Sequence, residues 1–250
     1  MPRYIPVITF FLLAYVLSWF GLLGNHFWPS DAWPLPINPL GPLMAAPLTL
    51  WWFGGGMAVK QWWQRIIRFR APLWIYATAF LLPLGIILVS IGAALLLGTP
   101  SGPLPDNGPA DFLILIPVML IAGPMPEELS FRGYGQHSLQ QSLSPLVSAL
   151  WIGLGVLIWH LPLLLRGDVP PQIAVALPAV SVVYAWFYAR GGSLWPLVVL
   201  HWVQNYFGGN YFGLIFAPEY SHVWLSVLAG AYVIWAVLIA WREGPSLGQH

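Results

Sequence analysis

Three short groups of residues have types and spacing that suit catalysis. The first is Glu127-Glu128-Leu129-Ser130-Phe131-Arg132. On a helix, Glu128 and Arg132 are four apart and share a face, so they can pair. Glu127 then points about 100° away and is left for another task. From composition alone this pattern is expected about 0.002 times in the chain. The second is His160, preceded by Trp159 and followed by Leu161-Pro162. The third is His201 with Asn205, again four apart on one face. A carboxylate, two imidazoles and an amide can activate a water and stabilise an oxyanion. Glu127, His160 and His201 are also a zinc ligand set, with water in the open position. Plainer readings exist for each group: a helix start with acids facing the macrodipole, a packing histidine, and interhelical hydrogen bonding.

The elements that carry these groups are apolar. Of 250 residues, 58% are hydrophobic and 7% charged, against about 25% charged in a soluble domain. Seventeen charges do not cover a water-facing surface, so the chain reads as an integral membrane protein. About eight apolar runs approach the length of a transmembrane helix: Ile5–Leu23, Pro39–Val59, Pro72–Leu97, Phe112–Phe131, Leu146–Leu165, Ile173–Tyr188, Leu194–Phe216 and Val223–Trp241. The fold class is all-α, polytopic, one bundle over residues 1–250, with the motif-bearing core at about 112–216. The first run lacks an A-x-A cleavage pattern and is taken as a retained helix.

With the N-terminus in the cytosol, the inner side holds Arg3, Lys60, Arg65, Arg68, Arg70, Arg132, Arg190 and Arg242, and the outer side only Arg166. The positive-inside rule then places both termini in the cytosol. Lys60–Arg70 interleaves cations with Trp and Ile and reads as an interfacial segment on anionic lipid. Depth sets a further expectation. Along a helix starting at Leu146, His160 lies roughly 21 Å from the inner face, whereas His201 lies roughly 10 Å from Leu194. A start near Leu150 narrows the gap, which places His137–Ala149 partly in the membrane plane.

Several chemistries are excluded. There is no cysteine, hence no thiol catalysis or iron–sulfur cluster. No Walker loop or GxGxxG points to nucleotide, and a net charge of +1 does not point to nucleic acid. Neither a Gly-x-Ser-x-Gly elbow nor His-Glu-x-x-His is present. A transporter or proton relay would favour internal repeats and more ionisable groups along a path.

At these residues the chain resembles the CPBP family of CAAX proteases and bacteriocin-processing (Abi) enzymes, which includes the type II CAAX prenyl endopeptidase. The family patterns Glu-Glu-x-x-x-Arg and His-x-x-x-Asn are matched by Glu127, Glu128 and Arg132 and by His201 and Asn205. In Phe-x-x-x-His, His160 is kept and Val156 replaces the Phe. The lead-in Gly192-Ser193-Leu194-Trp195-Pro196 is similar too, and the motif core runs from about Pro124 to Phe207. The resemblance implies an intramembrane endopeptidase. In it Glu127 is the general base, His160 helps hold the water, and Glu128 with Arg132 is a supporting ion pair. His201 and Asn205 stabilise the oxyanion, or His201 ligates a metal. The implied cofactor is none or one Zn2+ held by Glu127, His160 and His201. The implied partners are membrane lipid and a peptide or prenylated CAAX-type substrate, cut near the cytosolic face. A non-catalytic Abi-type role in bacteriocin self-immunity or scaffolding is the alternative.

Overall fold

The computed structural model describes residues 4–27, 37–106 and 109–249. Among them there is no strand. The helices are α1 (Ile5–Phe27), α2 (Gly41–Ile66), α3 (Leu73–Leu96), α4 (Pro109–Ile121), α5 (Pro124–Glu127), α6 (His137–Leu139), α7 (Pro145–Arg166), α8 (Gln172–Gly191), α9 (Trp195–Val203) and α10 (Ser221–Glu243). Two π-helical segments are inserted, Glu128–Gln136 after α5 and Gln204–Gly209 after α9. Grouping α4 through α6 as one run and adding the π segment to α9 gives eight helical runs, in line with the eight apolar runs of the sequence.

Five helical runs are long and apolar enough to cross a membrane: Leu73–Leu96, Ile114–Leu139, Pro145–Arg166, Gln172–Gly191 and Pro218–Ser246. Ile5–Phe20 is apolar but shorter. Large apolar side chains such as Leu81, Val89, Ile234 and Val237 stand on the outside of the bundle. An apolar exterior of this extent suits lipid rather than water. The protein is an integral membrane protein.

Two expected runs, and the later start inferred for a third from depth, differ from the structure. α2 continues past Val59 to Ile66 but breaks at Gly55, whose φ of 67° lies in the left-handed region. Its last turns are amphipathic, with Trp62 and Ile66 buried and Lys60, Trp63 and Gln64 exposed. The seventh run is not one helix to Phe216. It passes from α9 into the π segment and then a 3₁₀ turn at Phe212–Ile215. Glycine permits this reversal: a Cβ on Gly213 would lie 2.1 Å from the Gly208 carbonyl oxygen and 2.7 Å from the Trp224 ring. Finally, α7 starts at Pro145 rather than near Leu150. Ser144 caps it by accepting from the Val147 N–H at 3.3 Å, and Pro145 occupies the first turn, where its missing N–H is no loss. Residues 145–149 are therefore helix.

The helices that carry the two histidines begin in different surroundings. Ser193, Leu194, Pro196 and Leu197 are all buried, whereas Val147 at the start of α7 is exposed. Rise per residue measures distance from a helix's own first residue, and Trp195, the first residue of α9, is half-buried between buried neighbours.

Aromatic packing fixes α7 against α1 and the first π segment. Phe10 meets Phe131 and Tyr134, and Phe131 meets Trp159 edge-on at 5.9 Å. Trp159 Nε1 donates to Ser18 Oγ at 2.7 Å, and Trp19 Nε1 donates to the Trp159 carbonyl at 3.1 Å. Tyr15 donates to the Gly155 carbonyl at 2.9 Å. Each such bond in a membrane contributes about 0.6 kcal/mol. Together they hold the turn that carries His160.

Candidate active site

Glu127 closes the short helix α5, and Glu128 opens the π segment that follows. All nine residues Glu128–Gln136 are buried. π-Helical turns cluster at functional sites, and this one is braced from α2. Trp62 Nε1 donates to the Leu129 carbonyl at 3.2 Å, and Arg65 hydrogen-bonds His137 Nε2 at 2.9 Å. Glycine allows the approach, since a Cβ on Gly133 would lie 2.8 Å from Leu194 Cδ1.

Glu128 and Arg132 pair as expected, Nη1 to Oε1 at 3.2 Å, with both side chains buried. The structure adds a third member: His201 Nδ1 lies 2.8 Å from the same Oε1. Arg132 in turn donates through Nη2 to Ser181 Oγ at 2.9 Å and lies 4.8 Å from the centre of the Tyr184 ring. Tyr184 donates to Gln204 Oε1 and sits beside the His201 ring. One carboxylate thus fixes the histidine of α9 to the arginine of the π segment. Arg132 is 2% exposed, so it is part of this network and does not count as a cytosolic loop cation.

Ser181, Tyr184 and Gln204 were not singled out in the sequence. A signal existed for the first two, which are polar residues three apart on one face of an apolar helix.

His160 is oriented differently. Its Nδ1 lies 2.9 Å from the Val156 carbonyl oxygen. The carbonyl accepts, so Nδ1 carries the proton and Nε2 keeps its lone pair. The bond uses the backbone of Val156, so Val in place of Phe leaves it intact.

Glu127, His160, His201 and Asn205 line one cavity of about 730 Å³, together with Glu128, Arg132, Tyr184 and Gln204. Glu127 is buried, and among the described residues its carboxylate makes no hydrogen bond or ion pair. A methyl placed on Gly123 would be 3.6 Å from Glu127 Oε1 and 3.5 Å from Asn205 Nδ2. The two side chains therefore reach a common point, and Gly123 leaves that point open. The expected set is brought together, with a free carboxylate and an amide facing one small space.

Residues 109–207 match the family model described as type II CAAX prenyl endopeptidase Rce1-like. Over this segment the chain is similar to that family of endopeptidases. The matched segment contains all six residues singled out in the sequence. It also contains Ser181, Tyr184 and Gln204. No curated protein matches the chain.

The donor chemistry of Glu127, His160 and His201 suits zinc. However, among the described residues no three His, Asp or Glu side chains are gathered closely enough to hold a metal ion. No catalytic step below is routed through one.

The cavity walls run along α7, α8, α9 and α10. The rim includes Asp168, Val169, Asn210, Leu214, Pro218 and Ser221. These residues belong to the turns after α7, after the second π segment and before α10. They lie at the opposite end of the bundle from Lys60–Arg70, Arg190 and Arg242. A cytosolic location of that charged end and a site open to the cytosol therefore cannot both hold.

Proposed function

We propose that the protein is an intramembrane endopeptidase that hydrolyses a peptide bond of a membrane-associated substrate by glutamate-activated water. The observation that carries this reading is the convergence of Glu127, His160, His201 and Asn205 on one cavity, with Glu128 pinning His201. In this mechanism a water sits between Glu127 and His160. His160 Nε2 accepts one of its hydrogens and orients it, and Glu127 takes the other as the water oxygen attacks the carbonyl carbon. The carbonyl oxygen becomes an oxyanion. His201, donating Nδ1–H to Glu128, turns its protonated Nε2 to that oxyanion, and Asn205 supplies an amide N–H. The proton held by Glu127 then passes to the leaving amine as the carbon–nitrogen bond breaks.

Glu128, Arg132, Ser181 and Tyr184 touch no reacting atom. They hold His201 and keep its charge balanced in a dry site, where an unpaired charge is expensive. A prenylated CAAX-type peptide is one member of the substrate class, and the apolar walls Leu177, Val180, Leu225 and Leu228 would accept a lipid-like or apolar flank. The cation distribution supports cytosolic termini.

The test is cleavage by purified protein of a prenylated CAAX peptide and of a diverse peptide pool, beside Glu127→Gln. Cleavage by wild type and none by the variant is the expected result. Equal cleavage by both removes Glu127 from its role. No cleavage of any peptide by wild type favours a non-catalytic protein.

A further inference from the structure

We propose that the catalytic cavity opens on the non-cytosolic side of the membrane, so that the substrate is a membrane-tethered segment presented from that side. The substrate part rests on the endopeptidase reading above. The orientation does not.

The two ends of the bundle are distinct. At one end, Ser193 Oγ donates to the Arg68 carbonyl and Trp195 Nε1 to the Ile66 carbonyl, both near 2.7 Å. There also Arg190 pairs with Glu243 at 2.7 Å and donates to the Leu247 carbonyl. These contacts gather the end of α2, the end of α8, the start of α9 and the end of α10. This end carries Lys60, Arg65, Arg68, Arg70, Arg190 and Arg242. At the other end, the Gly102 N–H donates to the Ile215 carbonyl at 2.7 Å, joining the segment after α3 to the turn before α10. That end carries a single cation among the described residues, Arg166, which is paired with Asp168 at 2.8 Å. Asp106 and Glu219 add negative charge there.

Loop cations stay in the cytosol, and acids contribute little to orientation. Removing the buried Arg132 from the count leaves the bias large. The end gathered around Arg68 and Arg190 is therefore cytosolic.

Among the described residues, the cavity is open at the opposite end. Asp168, Asn210, Leu214 and Pro218 form its exposed rim, and no residue of 60–72, 137–144, 190–196 or 243–249 lines it. Towards the cytosolic end it is closed by the fully buried π segment Glu128–Gln136 and by buried Leu194, Leu197 and Val198. Water and substrate thus reach Glu127 from the non-cytosolic side. The step that supplies the substrate is translocation of its segment across the bilayer, and the water-soluble product leaves on the same side.

The chain has no cysteine, so each single-cysteine variant presents one thiol. Leu214→Cys and Glu219→Cys sit at the rim end, and Gln64→Cys sits on the exposed face of α2 at the other end. A membrane-impermeant maleimide is applied to intact bacterial host cells and to permeabilised ones. Labelling of the first two in intact cells, and of Gln64→Cys only after permeabilisation, is expected. The reverse pattern overturns the proposal. In a second arm, sealed right-side-out and inside-out vesicles bearing wild type are given a membrane-impermeant quenched peptide pool. Cleavage by right-side-out vesicles alone is expected, and cleavage by inside-out vesicles alone overturns the proposal. With the expected labelling, absence of cleavage in both vesicle types and in detergent overturns the endopeptidase reading and the substrate assignment, while the orientation stands.

Discussion

His201 Nδ1 and Glu128 Oε1 are 2.8 Å apart, and that oxygen also receives Arg132 at 3.2 Å. The second acid of the Glu-Glu pair is thus the anchor of the site, and the first acid is left unbonded towards the cavity.

Replacing the free acid removes the base without removing a structural bond. Glu127→Gln is expected to lower the cleavage rate by a factor of about 10²–10⁴, with little change in melting temperature. A variant that retains near-wild-type turnover would refute the assignment.

Replacing the anchor acid behaves differently. Glu128→Gln leaves the buried Arg132 without its counter-charge, a loss of about 3–5 kcal/mol when one partner of a buried pair is removed. Both melting temperature and activity are expected to fall. Adding Arg132→Met should recover part of the stability but not the activity, because His201 has still lost its carboxylate. Thermal melts and rates of the single and double variants check this.

Gly123→Ala tests the small space between Glu127 and Asn205. The added methyl would lie at ordinary contact distances of 3.5 and 3.6 Å, so folding is expected to be retained. The methyl fills the point both side chains address, and a rate loss of about tenfold or more is expected if that point holds water or substrate. Unchanged kinetics would place the reaction elsewhere in the cavity.

Gly153→Ala tests the α7–α8 contact behind the site. Its Cβ would fall 2.6 Å from Pro178 Cα and 3.1 Å from Ser181 Oγ. Overpacking of this kind destabilises by about 1–3 kcal/mol. The melting temperature should drop, and activity should drop with it, because Ser181 holds Arg132. A variant as stable as wild type would mean that α8 yields freely.

Metal dependence is checked by the zinc content of the purified protein and by activity after extended chelation. Since Glu127, His160 and His201 are not gathered as a ligand set, substoichiometric zinc and chelator-resistant cleavage are expected. One zinc per chain, with activity lost on its removal and restored on its return, would overturn the metal-free mechanism.

Much was legible in the residues alone. Apolar runs marked the passes, since a helix in lipid must be apolar over about 20 residues. Glu128 and Arg132 were readable as a pair because four residues bring side chains onto one face, whether the turn is α or slightly wider. The Ser144 cap and Pro145 set the start of α7 earlier than the one inferred from depth. Local spacing cannot report where a helix begins within the bundle. The half-buried start of α9 therefore appeared only in the fold, as did the interruption of the seventh run, where Gly213 turns back on Gly208.

The sequence by itself determined the solvent, the apolar helical runs, the charged end and the short list of reactive groups. These depend on composition and on neighbours along the chain. The tertiary structure alone decided that Glu128 serves His201 as well as Arg132, that Glu127 and Asn205 share one point, and which end of the bundle is open. Those facts depend on side chains dozens of residues apart and on where the passes leave a gap, and only packing brings such residues into contact.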